Sequence, residues 1–149
     1  MTWMVDLELI VDVLEDDAEN GKASAALIDE YSHFGELYIS PAAYIQLGPL
    51  FGGMRELEDK FLASMGIALA NREAHDNTGL VMEAWCRYVR TSGDQVSDIP
   101  FTKLMIGALA LGYDGLLTRR PADFKRFFPK LKCIPPAQRK KTTTKRGQA

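Results

Sequence analysis

The sequence predicts an α/β fold built on a short, mainly parallel sheet. Short apolar runs (TWMVD, LYIS, the stretch Ile67 to Ala70, GLLT and LKCIP) alternate along the chain with segments of helical apolar spacing. A helix between successive strands is what parallel pairing demands, because the chain must cross back before each new strand. The 149 residues, 46% of them hydrophobic, suffice for one domain with a single core.

Each element has a local cause. TWMVD is an apolar run closed by an acid, which suits a buried first strand. Leu9, Ile10, Val13 and Leu14 recur at helical spacing until Asp16, Asp17, Asn20 and Gly21 break the pattern. A second helix runs from Ala23 to Phe34, with Ala26, Leu27 and Tyr31 on one side. Leu37 to Ser40 is the next strand. Ser40 then Pro41 starts a helix, a capping hydroxyl followed by a residue with no amide hydrogen to lose. That helix passes Tyr44 and Leu47 and stops near Pro49, and Gly52-Gly53 is a turn. Met54 to Met65 is another helix, and Ile67 to Ala70 a third strand. The longest helix is Arg72 to Val89, with Leu80, Met82, Trp85 and Val89 apolar, and Asp94 to Pro100 is a polar loop. Phe101 to Leu111 (LMIGALAL at its heart) is small and apolar, as for a helix pressed against a sheet. GLLT is a strand, Ala122 to Phe128 a short helix, and LKCIP the last strand. Loops at the carboxyl ends of parallel strands build the site in such folds, which gathers Asp6, Ser40 to Gln46 and Thr118 to Arg120 near one edge.

Charge is unevenly placed. Net charge is -2, but five of the 18 basic residues (Arg139, Lys140, Lys141, Lys145, Arg146) lie in the last 13 residues, which hold no acid. The remainder carries all 20 acids against the other 13 cations, too acidic for a general nucleic-acid surface. Residues 137–149 read as a basic, disordered tail following a domain of residues 1–136. No run approaches the roughly 20 apolar residues of a membrane span. The first residues, MTWMVDLELI, lack the basic and apolar regions of a signal peptide, which points to the cytoplasm. Cys86 and Cys133 sit in apolar contexts and read as buried thiols; His33 and His75 read as surface residues. No phosphate loop, zinc motif or Ser-His-Asp set occurs. What is left is carboxylate chemistry: Asp6, Glu8, Asp98, Asp114 and Asp123, of which Asp114 reads as loop surface.

Four tracts in order resemble the PIN-domain family, the nuclease fold of VapC-type toxins. VDLELIVDVL is similar to the family's opening, Val-Asp-Thr-Asn-Val-Leu-Ile-Asp-Val-Leu. ISPAAYIQLGPLFGG resembles its second strand and helix, EAWCRYVRTSGD its long helix, and IPFTKLMIGALALGYDGLLTRRPADFKRFFPKLKCIPP its end. The resemblance covers residues 1 to about 136 and is most specific from Leu116 to Pro135. It implies a PIN-like three-layer fold, a short central sheet flanked by helices. It also implies Mg²⁺- or Mn²⁺-dependent RNA hydrolysis by three or four clustered carboxylates.

Position by position, the acidic set is degenerate. Asp6 retains the first acid. The usual Thr-Asn after it is Leu7-Glu8. The helix glutamate aligns with Gln46, the acid before the Ile-Gly-Ala helix with Lys103, and the acid after Leu-Leu-Thr-Arg with Arg120. Lys103 and Arg120 have no acceptor. At about 4 Å and an effective dielectric near about 20, each repels a cation by roughly 4 kcal/mol per unit of metal charge. The expectation is a pseudoenzyme with lost or impaired nuclease activity that binds RNA or a protein partner through the old cleft, with Asp6 paired to Lys103, Arg120 or both, and Lys103, Arg119 and Arg120 placed to meet phosphates if RNA is bound. Its rival is an active Mg²⁺-dependent endoribonuclease, the toxin of a toxin-antitoxin pair, with Glu8, Asp98 or Asp123 as surrogate acids. A third reading is a pure interaction module. The resemblance further implies an antitoxin-like protein partner and a homodimer, for which Phe51, Phe61, Trp85 and Tyr88 serve either the interface or the core.

Overall fold

A computed structural model of the chain describes residues 1–70, 77–92 and 101–137, with side chains of 91 and 92 left aside. The expected loop with Asp98, His75, the expected start of the longest helix at Arg72 and the tail from 138 onward lie outside the described residues. The elements run β1 (Thr2–Val5), α1 (Leu7–Leu14), α2 (Gly21–Ser32), β2 (Glu36–Ile39), α3 (Pro41–Leu47), α4 (Arg55–Ser64) and β3 (Ile67–Leu69). They continue with α5 (Thr78–Ser92), α6 (Phe101–Ala110), β4 (Gly115–Leu117), α7 (Pro121–Lys125) and β5 (Cys133–Ile134).

All five strands pair in parallel, in the order β3-β2-β1-β4-β5. β1 is therefore central, with Met4 opposite Tyr38 on one side and Leu116 on the other. Trp3, Met4 and Val5 are all buried, as befits a strand covered on both faces. The chain first builds outward from β1 through β2 to β3, then returns to lay β4 on the other side of β1. The reversal leaves a crevice beyond the carboxyl ends of β1 and β4, the topological switch point of the sheet.

Packing explains two glycines of the second half. A methyl group on Gly107 of α6 would lie 2.6 Å from the Phe128 ring, and one on Gly115 would lie 2.8 Å from the Trp3 ring. Only hydrogen at these two positions lets α6 and β4 close onto their neighbours. Leu104, Ile106, Gly107, Ala108 and Ala110 are buried, so the small apolar run does press against the sheet. Gly52 and Gly53 have φ of 61° and 74° and form the expected turn.

Several expectations need correction. A 3₁₀ turn (Gly48–Phe51) prolongs α3 past Pro49, because proline at the start of a new turn has no amide hydrogen to lose. On α2 the buried stripe is Gly21, Ser24, Leu27 and Ile28, and Ala26 is exposed. On α5 Ala84 and Tyr88 are buried while Leu80 and Met82 are exposed. Cys86 is exposed, since it shares a helix face with Glu83 and Arg90 three residues before and four after; Cys133 is half-buried. α7 is shorter than expected and ends at Lys125. His33 is exposed, with Nδ1 2.7 Å from the Asp29 carbonyl. Among the described residues no helix is long and apolar enough to cross a membrane.

Candidate functional site at the switch point

Asp6 follows β1 directly. Its amide donates to the Leu117 carbonyl at 2.9 Å, extending the β1–β4 ladder by one residue and fixing its side chain over the crevice. Thr118 occupies the matching place after β4. Its hydroxyl accepts from the Arg120 amide at 3.0 Å and donates to Asp6 Oδ2 at 2.8 Å. The amide sets the direction of the hydroxyl proton, so Thr118 acts as an oriented donor.

Asp6 is 2% exposed. Burial pushes its carboxyl up to about 6; the Thr118 hydroxyl opposes this, the Glu8 carboxylate adds to it, and the Leu7 amide and Lys103 charge pull it down. Direct pairing of Asp6 with Lys103 or Arg120 was the expectation, and the structure distributes the cations differently. Lys103 Nζ lies 2.7 Å from Asp123 Oδ2. Arg120 Nε lies 2.8 Å from Glu8 Oε2, and Glu8 holds the Arg120 guanidinium protonated well above neutrality. Each cation has a more accessible acid to pair with, and the enclosed Asp6 keeps the neutral hydroxyl.

Arg119 is the best-held of the three. It grips Asp12 with two parallel bonds, Nε to Oδ2 at 2.7 Å and Nη2 to Oδ1 at 3.1 Å, and reaches Glu8 at 3.6 Å. Asp12 is buried on α1 and also accepts from the Ser24 hydroxyl of α2 at 2.8 Å. The loop after β4 is thereby locked to both helices that follow β1. A planar fork on a carboxylate is the strong form of such a pair.

Of the residues singled out in the sequence, Asp6, Glu8, Lys103, Arg119, Arg120 and Asp123 come together in this one corner. Gln46 is exposed on α3 and makes no hydrogen bond to them. Ser40 caps α3, its hydroxyl accepting from the Ala43 amide at 3.1 Å. Asp114 is exposed and accepts from the Thr2 amide, which ties the start of β1 to the turn before β4. Sequence reasoning placed Thr118 at this edge without a role, and missed Asp12 and Ser24 as parts of the site. The available signal was an acid at 12 inside the apolar stripe Leu9, Ile10, Val13 of α1, which is costly unless a cation meets it. Among the described residues no three His, Cys, Asp or Glu side chains converge as ligands of a metal ion would.

No family model matches the chain, and no curated protein matches it. Among solved structures, that of VapBC2 from Rickettsia felis bound to a DNA fragment from their promoter is similar. The match has a TM-score of 0.65 and 15% sequence identity, and covers 92% of this chain and 100% of that chain. With its all-parallel five-stranded sheet flanked by helices, the chain has a PIN-like α/β fold.

Proposed function

We propose that this chain is a VapC-like protein that has exchanged metal-dependent RNA cleavage for binding, and that its partner is an antitoxin-like protein. The observation that carries this reading is the commitment of the acids at the switch point: Glu8 to Arg120, Asp12 to Arg119 and Asp123 to Lys103. A Mg²⁺ or Mn²⁺ ion needs several anionic oxygens. Here three cations neutralise three of the four acids in the corner and leave Asp6 alone, so the donor chemistry does not fit such an ion.

The same pairing decides between RNA and protein as the retained partner. Four carboxylates face three cations, so the corner has no net positive charge to offer a phosphate backbone. A protein can use it, because exposed Arg120 and half-buried Lys103 exchange one carboxylate for another at little cost. The likeness to VapBC2 supports a partner of the antitoxin kind. The test is incubation with RNA in Mg²⁺ and in Mn²⁺ beside the Asp6→Ala variant, followed by RNA titration at low salt. No cutting above the variant's level and no saturable RNA binding is the expected result. Metal-dependent cutting that Asp6→Ala abolishes would falsify the proposal.

One observation favours an active endoribonuclease instead. The Glu8 carboxylate is near enough to Asp6 to push it up, and Asp123 is held beside them by Lys103 alone. Displacement of Lys103 and Arg120 by substrate would free three carboxylates in one corner. In the cleavage assay this reading requires that Glu8→Gln and Asp123→Asn each reduce cutting along with Asp6→Ala.

A further inference from the structure

Away from the switch point, the corner between α3 and α4 holds a carboxylate with no use in the reading above. Glu58 is 2% exposed, and its Oε2 has no hydrogen-bond partner. It lines a groove of about 410 Å³ beside Pro41, Tyr44, Ile45, Arg55 and Leu69. An enclosed acceptor is costly to leave unmatched, and a donor from outside the chain removes that cost. A water brings a donor and leaves the charge uncompensated; a cationic donor supplies both.

Arg55 lines the same groove and is held in place. Its guanidinium lies over the Tyr44 ring, 5.4 Å from the centroid, and its Nε donates to the Tyr44 hydroxyl at 3.2 Å. That hydroxyl in turn donates to Asp59 at 2.7 Å. The arrangement occupies Nε and leaves both terminal nitrogens without a partner among the described residues. Arg55 and Glu58 stand three residues apart on α4, yet they form no ion pair with each other. One turn of helix therefore presents an unmatched anion and an unmatched two-nitrogen fork to a single groove. Pro41, Ile45 and Leu69 give that groove aliphatic walls. Apolar walls with a few convergent polar groups are the composition of a small-ligand site.

We infer that this groove binds a small zwitterion with an apolar side chain, the chemical class of the free apolar α-amino acids. The ligand's ammonium donates to Glu58, its carboxylate accepts from the two terminal nitrogens of Arg55, and its side chain lies against Ile45 and Leu69. Both charges must arrive on one small body, because residues three apart on a helix are near neighbours. A lone cation leaves the Arg55 fork unused, and a lone anion leaves Glu58 unmatched. The Tyr44 ring and hydroxyl already hold the guanidinium, so little side-chain freedom is lost on binding. The inference is independent of what the switch-point corner does.

Calorimetric titration of the full chain with leucine, methionine and phenylalanine tests it. At least one of the three binds saturably, at a single site. Two analogues of the best binder then each lack one charge: for leucine, isoamylamine has no carboxylate and isocaproic acid no ammonium. Each binds at least about tenfold more weakly than the amino acid. Glu58→Gln keeps the shape of the side chain and removes its charge; it weakens the amino acid by a similar factor and leaves the acid analogue unaffected. Arg55→Met keeps an unbranched stem over the Tyr44 ring; it also weakens the amino acid and leaves the amine analogue unaffected. Circular dichroism confirms that both variants are folded. No saturable binding of any of the three, up to their solubility limits, overturns the proposal. So does a folded Glu58→Gln or Arg55→Met chain that binds the amino acid as the native chain does, or an analogue with one charge that binds equally well.

Discussion

At the carboxyl end of β1 and on the face of α4 the molecule leaves two carboxylates each only 2% exposed and surrounds them differently. Asp6 receives the Thr118 hydroxyl and the Leu7 amide, with cations held one step away by Glu8, Asp12 and Asp123. Glu58 sits among apolar groups with one oxygen unmatched, and its carboxyl is pushed up by burial and by Asp59. One corner is electrostatically closed within the chain; the other leaves one carboxylate oxygen without a partner among the described residues. Enclosure alone does not mark a functional group. What the enclosed group lacks is more informative than how deeply it lies.

The largest expected effect tests whether the first corner is closed by Arg119. Replacing Arg119 with Ala strands Asp12, which is buried, and should cost roughly 3–4 kcal/mol of unfolding free energy in a urea titration. A loss under about 1 kcal/mol would mean that Ser24 and solvent satisfy Asp12 unaided.

The next effect concerns Asp6 itself. Its folded value of about 6 stands above the ordinary 3.8. Below the lower value it is neutral in both states. As pH rises from there toward about 6, the unfolded chain ionises while the folded chain holds its proton, so stability falls; above that the deficit is constant. Asp6→Asn keeps an acceptor for Thr118 and removes the ionisation. It should be more stable than the native chain at neutral pH by about 3 kcal/mol, and the advantage should vanish near pH 4. Equal pH slopes for the two proteins would show that Asp6 is not desolvated in solution.

Glu58→Gln supplies the smaller counterpart. It removes an unmatched charge and should raise stability by about 1 kcal/mol. A loss of that size would mean that Glu58 is satisfied within the chain. The smallest effect belongs to Arg120→Ala, an exposed pair to Glu8 worth under about 1 kcal/mol. A cost comparable with that of Arg119→Ala would erase the distinction between the fork and the rim.

Much of the fold is legible in the residues. Ser40-Pro41 marks the start of α3 because hydroxyl and ring act within one turn, and TWMVD marks β1 because a central parallel strand is apolar on both faces. Lys103 and Arg120, which the resemblance aligns with acidic positions, lie in one corner with Asp6 and Glu8. Their partners are not legible. Asp12 meets Arg119 across 107 positions, and no local spacing encodes which acid a long cationic side chain selects. Glu58 lies on the buried side of α4 with Leu62 four residues on, a place a helical period assigns to a core residue. Its missing partner is invisible without three-dimensional neighbours. The side chains of α5 misled for a related reason: Leu80 and Met82 are apolar but face outward.

The strand order also fixes when the switch-point corner comes into being. The bond from Thr118 to Asp6 spans 112 positions, as does that from the Thr2 amide to Asp114. During synthesis β1 can pair with β2, and β2 with β3, long before β4 has left the ribosome, yet one flank of β1 stays bare until then. Contacts of such sequence separation form late. A nascent chain halted before Gly115 would display β1 with an unpaired edge, so that a transcript cut short there would release an aggregation-prone fragment and no corner at all.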